Sequence, residues 1–125
     1  MGAMRILLVE DDEAIRDLVT GVLEGAGYEV STAADGQAAL DMLPVVAPHA
    51  MVVDINMPGM DGLALLNAVR RDPTFAEIPA LMLTAQTSPE DIRRSMNLGA
   101  ADFIGKPFEA RVLLRRLERM VRSAS

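Results

Sequence analysis

Polar and charged residues come directly after short apolar runs at four points of the sequence. An acidic segment, residues 10–12, follows the first of five such runs, Asp54 ends the third, and Thr84 and Lys106 follow the last two. If these runs are strands of one parallel sheet, a ligand site is expected beyond their carboxyl ends. The sequence therefore predicts a pocket in which several carboxylates meet a hydroxyl and an ammonium group.

Clustered carboxylates of this kind need a compensating cation. Two carboxylates about 4 Å apart repel one another by roughly 4 kcal/mol at an effective dielectric constant near ~20. Lys106 supplies one positive charge. A hard divalent ion is the natural further candidate, because no histidine or cysteine stands in these segments to bind a softer metal. We therefore expect a magnesium site.

A carboxylate beside bound magnesium can act as a nucleophile. Mg²⁺ usually takes one or two protein carboxylates together with phosphate oxygens, which leaves another carboxylate free. That carboxylate can attack phosphorus and form an acyl phosphate if the charge on the transferred group is neutralised. Asp54, alone at the end of its apolar run, is the best-placed nucleophile, and Thr84 and Lys106 are able to contact the phosphoryl oxygens.

Five short apolar runs alternate with five stretches of helical periodicity, a pattern typical of βαβ units around a parallel sheet. The predicted fold class is therefore α/β. The first, third and fourth runs are almost entirely apolar, as expected for strands that are covered by helices on both faces. The predicted strands are Arg5 to Val9, Glu29 to Ala33, Ala50 to Asp54, Ala80 to Leu83 and Asp102 to Gly105.

Capping residues and apolar stripes predict the helices between these strands. Asp35, Asp61 and Ser88 are predicted N-caps, and Pro44 is expected to end or distort the second helix. The first helix should turn one apolar stripe inward, formed by Ile15, Leu18, Val19, Val22 and Leu23. The third should bury Leu65, Leu66 and Val69, and the last Leu113, Leu114, Leu117, Met120 and Val121.

The composition fits one compact domain. Half of the 125 residues are hydrophobic and 24% are charged, so the chain can bury enough apolar surface to offset its ordering entropy. We expect the domain at residues 4–122, with residues 1–3 a cloning remnant and 123–125 a tail or the start of a linker. The net charge of −6 disfavours nucleic-acid binding by this domain, and no apolar run is long enough for a membrane span. Because cysteine is absent, a cytoplasmic location is expected.

Four segments of the chain resemble the response-regulator receiver family of two-component signalling. They are Ile6 to Asp12, Val53 to Gly62, Leu83 to Ala85 and Gly105 to Phe108, each at the end of a predicted strand. The resemblance extends from about Met4 to Val121. Within the family, the chain is similar to the chemotaxis regulators. It implies a flavodoxin-like, doubly wound fold, with strand order 2-1-3-4-5 and five flanking helices.

The resemblance also implies which residues bind the metal and the phosphoryl group. Asp54 would be the phosphoacceptor and, together with Glu10 and Asp11, a ligand of Mg²⁺. Asn56 would bind the ion through its backbone carbonyl. Glu10 departs from the aspartate that is more frequent in the family, and this lengthens the ligand arm by one methylene.

The same resemblance extends to the fourth and fifth strands. Thr84 and Lys106 would hold the phosphoryl group, and the Lys106–Pro107 peptide bond would be cis. Phe103 corresponds to the switch aromatic that turns inward as Thr84 moves, although it cannot make the hydrogen bond of a tyrosine. Gln86 lies where the family varies and where autodephosphorylation is tuned.

By this resemblance the domain works in a phosphorelay. A histidine kinase or a histidine phosphotransfer protein would supply the phosphoryl group. The domain would assist its own phosphorylation and dephosphorylation, and would not be an enzyme for outside substrates. The fourth helix, fifth strand and fifth helix would form a switch surface for a downstream protein or a covalently linked output domain. A fragment of a larger regulator and a homodimer both stay open.

Two other functions fit parts of the pattern. An aspartate-nucleophile phosphatase would need a second aspartate two residues after Asp54 as general acid, but Asn56 stands there. A flavin-binding module would need serine, threonine and glycine after the first strand, where this chain has carboxylates. Simpler roles are assigned to Asp12, interpreted as a helix cap, and to His49, the only histidine, interpreted as structural.

Overall fold

A computed structural model describes residues 2–84 and 88–124 of the chain. Strands and helices alternate through the described residues, which confirms the predicted α/β class. The strands are β1 (Arg5–Val9), β2 (Glu29–Ala33), β3 (Ala50–Asp54), β4 (Ala80–Thr84) and β5 (Asp102–Gly105). The helices are α1 (Glu13–Gly25), α2 (Gly36–Val46), α3 (Gly62–Arg71), α4 (Pro89–Asn97) and α5 (Ala110–Ala124).

The five strands form one parallel sheet in the order β2-β1-β3-β4-β5, as predicted. This order places β3 at the centre of the sheet, with β1 and β4 on either side of it. The register pairs Val9 with Val53, Asp54 with Leu83, and Thr84 with Gly105. The carboxyl ends of four strands therefore lie side by side at one edge of the sheet.

Two hydrophobic clusters cover the two faces of the sheet. One joins alternate residues of the strands to α2 and α3, and includes Leu43, Leu65 and Val69. The other joins the remaining strand residues to α1 and α5, and includes Leu23 and Leu117. Every residue of β3 and β4 is buried, because helices pack on both faces of these central strands.

The first four helices begin at the predicted caps. The side chains of Asp35, Asp61 and Ser88 each accept a hydrogen bond from the backbone N–H three residues further on, and Asp12 does the same for α1. Each such cap stabilises its helix by about 1 kcal/mol, because it satisfies an N–H that has no partner within the helix. The caps also fix where each strand-to-helix loop ends, and these loops border the carboxyl edge of the sheet.

One detail of the predicted helices is wrong. Leu18 is 65% exposed, because the inward stripe of α1 centres on the buried residues Val19 and Leu23 and Leu18 lies on its flank. Pro44 lies in the last turn of α2, which continues two residues further to Val46 and stops at Ala47 in the left-handed conformation (φ 46°). A proline in the last turn removes only one intrahelical hydrogen bond and already has a helical φ, so the turn persists.

Candidate functional site

Three carboxylates meet at the carboxyl edge of the sheet. Oxygen atoms of Glu10, Asp11 and Asp54 all lie within 4.8 Å of one another. Glu10 and Asp54 are buried, whereas Asp11 is exposed. Glu10 and Asp11 follow β1 and Asp54 ends β3, so the pairing of these two neighbouring strands brings them together.

Lys106, just after β5, is the cation that reaches this acidic cluster. Its Nζ lies 2.9 Å from Glu10 Oε1 and 3.2 Å from Asp54 Oδ2. Its backbone N–H donates to the Thr84 carbonyl oxygen at 2.6 Å, which ties the loop after β5 to the end of β4. The Lys106–Pro107 peptide bond is cis. One ammonium group thus faces two buried carboxylates.

Burial and the charges of the cluster leave two pKa values raised. Burial raises the pKa of the Glu10 carboxyl, and the neighbouring Asp54 raises it further, while Lys106 opposes the shift. Burial lowers the pKa of the Lys106 ammonium, but its contacts with Glu10 and Asp54 outweigh burial and leave that pKa raised. Glu10 therefore holds its proton more tightly than an exposed glutamate does, and Lys106 stays charged.

Backbone contacts position Asp54 within the site. The N–H of Asn56 donates to Asp54 Oδ1 at 3.3 Å, and the N–H of Ile55 donates to the Leu83 carbonyl oxygen at 2.9 Å. Gly62, at the start of α3, packs against this strand end so closely that a Cβ there would collide with the Asp54 carbonyl oxygen. Only glycine lets the helix come this close to the strand.

Thr84 and Phe103 lie on the same face of the sheet. Met82 pairs with Phe103 across β4 and β5, and Thr84 follows Met82 by two residues, which returns it to the same side. Thr84 is fully buried, and its hydroxyl has no hydrogen-bond partner within residues 2–84 and 88–124. Phe103 is half-buried against the cluster that α2 and α3 form. Gln86, for which a role was predicted, and the motif residue Ala85 lie outside the described residues.

Three further residues make contacts near the ends of β1. The side chain of Arg16 donates to the Glu10 carbonyl oxygen at 2.9 Å and so fixes the loop after β1, a contact that the sequence did not indicate. Asp12 acts as the predicted cap of α1. His49 accepts the N–H of Arg5 at Nδ1, 2.8 Å away, near the start of β1. This is the opposite end of the sheet from the acidic cluster.

A family model supports the same interpretation. Residues 6–118 match the response regulator receiver domain. This chain therefore belongs to the response-regulator receiver family, the signal-receiving domain of two-component systems. The match covers the five strands, apart from the first residue of β1, and most of α5, so it includes every residue of the acidic cluster. Within the described residues, no helix is both long and apolar enough to cross a membrane.

Two curated relatives are similar over one part of their length. The DNA-binding dual master transcriptional regulator RpaA of Synechocystis is 38% identical over 118 residues, which make up 94% of this chain and 49% of that protein. Response regulator MprA of Mycobacterium avium is 40% identical over 119 residues, 95% of this chain and 51% of that protein. The chain spans about half the length of these relatives.

Two solved structures share the fold over almost their whole length. Chemotaxis protein CheY4 of Vibrio cholerae superposes with a TM-score of 0.91 at 39% identity, covering 95% of this chain and 99% of that one. A CheY-like response regulator receiver domain protein of Methanospirillum hungatei gives a TM-score of 0.92 at 32% identity, covering 98% and 97%. These neighbours agree with the flavodoxin-like fold predicted from the sequence.

Proposed function

We propose that the domain accepts a phosphoryl group on Asp54 from a phosphohistidine donor in a Mg²⁺-dependent reaction, and that this modification switches its surface. The observation that carries the proposal is the geometry of Asp54. Its carboxylate is buried beside two other carboxylates and lies 3.2 Å from an ammonium group. A buried carboxylate in such company is costly for stability alone, which favours a chemical role.

The donor set fits a hard divalent cation. Carboxylate oxygens are the ligands that Mg²⁺ prefers, and the three carboxylates outnumber the one lysine that neutralises them. Glu10, Asp11 and Asp54 would hold the ion, with the backbone carbonyl of Asn56 as a further ligand. When bound, the ion supplies positive charge next to the phosphoryl oxygens and so lowers the barrier to attack by an anion.

Asp54 would be the nucleophile, and its neighbours would stabilise the transferred group. A carboxylate oxygen of Asp54 bonds to phosphorus while the phosphorus–nitrogen bond of the donor breaks, and the imidazole nitrogen keeps the electron pair. Lys106 is already within reach of Asp54 and would donate to one phosphoryl oxygen. The Thr84 hydroxyl, which is buried without a partner among the described residues, would donate to another.

Thr84 and Phe103 would couple the modification to the protein surface. A threonine drawn towards the phosphoryl group leaves space on the face of the sheet that it shares with Phe103, and the half-buried ring can move into that space. The surface formed by α4, β5 and α5 would then change its population between two states, and a partner reads the difference. The domain is thus a phosphoacceptor switch that assists its own phosphorylation and dephosphorylation.

The partners in this proposal follow from the class of protein. A histidine kinase or a histidine phosphotransfer protein would donate the phosphoryl group. The output would be a separate protein or a covalently linked domain, since the chain spans about half the length of the regulators it matches. Binding of nucleic acid by this domain is disfavoured by its net charge of −6. The proposed location is the cytoplasm, and a homodimer is compatible with the proposal.

The main alternative is an aspartate-nucleophile phosphatase. Its general acid would stand at Asn56, and a carboxamide cannot give up a proton in that role. Turnover of a small phosphate ester far beyond one equivalent would favour the phosphatase.

Intact-mass measurement with a small acyl phosphate tests the proposal. The protein should gain one phosphoryl group only when Mg²⁺ is present, and Asp54→Asn should gain none. Asp12→Asn is the matched control, because asparagine caps a helix as well as aspartate does and Asp12 lies outside the acidic cluster. Labelling that is independent of Mg²⁺, or equal in Asp54→Asn, would contradict the proposal.

A further inference from the structure

Arg70, in the last turn of α3, binds four backbone carbonyl oxygens from two separate segments. Its Nε donates to Leu98 at 3.0 Å, and its Nη2 donates to Gly99 at 3.0 Å, both just after α4. Its Nη1 donates to Ala76 at 3.0 Å and to Ile78 at 2.7 Å, in the loop before β4. The guanidinium therefore joins the end of α3, the loop before β4 and the end of α4.

No carboxylate in the described part of the chain pairs with Arg70. The positive group lies instead against carbonyls at the C-terminal end of α4, where the helix dipole is negative. Four contacts occupy most of the five N–H donors of the guanidinium. Lysine has one nitrogen in place of three, so it cannot reach both segments in the same way.

Most of α4 lies at the surface of the domain. In this helix, whose residues are all described, only Ser95 is fully buried. At its end, Gly99 adopts a positive φ of 78°, and a Cβ there would come within 3.3 Å of Arg70 Nε. The other end begins at the Ser88 cap, four residues after Thr84 in the chain. Sparse burial predicts a helix that moves easily, except where Arg70 binds it.

We propose that Arg70 is a positioning residue that anchors the C-terminal end of α4, so that α4 responds to the site by pivoting about Leu98 and Gly99. Movement at Thr84 enters through the N-terminal end of the helix, whereas the opposite end stays bound to α3. The link to phosphorylation rests on the proposed function. The anchoring itself does not, and it can be tested in the unmodified protein.

Residue-resolved amide hydrogen exchange in the unmodified protein tests the anchor. In Arg70→Met the amides of Leu98, Gly99 and Ala100 should exchange about tenfold faster or more, with a smaller change at Ile92. In Ser88→Ala the amide of Ile92 should instead accelerate more than those of Leu98 to Ala100, because only the N-terminal end of α4 is released. A lysine at position 70 should restore little protection.

Arg71→Met is the matched control, because Arg71 is the exposed neighbour of Arg70 and makes no ion pair or side-chain hydrogen bond within residues 2–84 and 88–124. It should leave the exchange rates unchanged. Equal acceleration at all residues of Arg70→Met, no acceleration at Leu98 to Ala100, or full protection in Arg70→Lys would overturn the anchor.

The pivot is tested by amide chemical shifts after treatment with acyl phosphate and Mg²⁺. In the parent protein, shift changes in α4 should be large near Ser88 and small near Gly99. In Arg70→Met they should extend through Gly99, with the same gain of mass. Equal changes along α4 in the parent would overturn the pivot. If no variant gains mass, the proposed function and the pivot that rests on it both fail, and the exchange experiment still decides the anchor.

Discussion

The ammonium of Lys106, which follows β5, lies 3.2 Å from Oδ2 of Asp54, which ends β3 and is only 2% exposed. The same nitrogen lies 2.9 Å from Glu10 Oε1. The Lys106 ammonium therefore holds two buried carboxylates together. This unequal balance of charge makes the stability of the domain depend on pH, on divalent ions and on each member of the cluster.

Neutralising Asp54 should stabilise the metal-free protein. In Asp54→Asn, Glu10 keeps its contact with Lys106 but loses a repulsive neighbour, so the free energy of unfolding should rise by about 1 kcal/mol. Urea unfolding in a chelating buffer measures the change, with Asp12→Asn as the control. A loss of stability in Asp54→Asn would show that attraction to Lys106 outweighs the repulsion.

Divalent ions should make the parent protein more stable than Asp54→Asn. Mg²⁺ at about 100 times its dissociation constant should stabilise the parent protein by about 2.7 kcal/mol, because it binds the folded state alone. Asp54→Asn has lost a proposed ligand and should gain less. Urea unfolding across a Mg²⁺ titration measures both proteins. Equal gains in the two would place the ion away from Asp54.

Acid should favour the metal-free fold through Glu10. The pKa of Glu10 is raised above its ordinary value of 4.5, so between 4.5 and the raised pKa the folded protein holds a proton that the unfolded chain has lost. In that window the contribution of Glu10 to the free energy of unfolding falls as pH rises.

Glu10→Gln removes this titration and is the comparison that isolates it. Urea unfolding at stepped pH values should give a stability difference between Glu10→Gln and the parent that grows as pH rises through the window. A difference that stays constant with pH would mean that Glu10 titrates as an exposed glutamate does.

Removing the lysine should destabilise the protein. In Lys106→Met two buried carboxylates lose their cation, and the free energy of unfolding should fall by about 1–3 kcal/mol at neutral pH. This is below the usual cost of breaking a fully buried pair, because the lysine side chain is 19% exposed. Thermal unfolding measures the loss, and Mg²⁺ should recover part of it. Unchanged stability would show that water already screens the cluster.

Gly62→Ala should disturb the position of Asp54. The added methyl group would collide with the Asp54 carbonyl oxygen and lie 2.8 Å from the Ile55 Cα. Backbone cannot give way cheaply, so a loss of about 2–3 kcal/mol is expected. Gly21→Ala is the control, because a Cβ on this helical glycine meets nothing within 4 Å. This substitution should raise the free energy of unfolding by about 0.5–1 kcal/mol. Chemical denaturation of both variants gives the comparison, and similar values would contradict the close packing.

Local sequence patterns predicted the strands and the helix starts, because these features depend on residues that are close together in the sequence. The bounds of β3 follow from the apolar run that ends at Asp54, and the starts of α3 and α4 follow from Asp61 and Ser88, which bind N–H groups three residues on. The meeting of Glu10 with Asp54 followed from strand adjacency. In that case the family resemblance supplied the strand order.

Side-chain contacts between residues that are distant in the sequence could not be predicted in this way. Arg70 binds carbonyls up to 29 positions away, and Asp102 binds Arg116 of α5 through both carboxylate oxygens, at 2.9 and 3.0 Å. No periodicity marks such a pair, since the contact depends on how helices lie in space. The prediction that Leu18 faces inward was wrong for a related reason. An apolar residue on the flank of a stripe is exposed or buried according to what packs beside it.

The most direct test of the account identifies the residue that carries the phosphoryl group. Protein treated with acyl phosphate and Mg²⁺ is reduced with borohydride, which converts an aspartyl phosphate to homoserine, and is then sequenced by peptide mass spectrometry. The account predicts homoserine at position 54 and at no other carboxylate. Modification at Asp11 or Glu10 instead, or none under conditions in which Mg²⁺ binds, would contradict it.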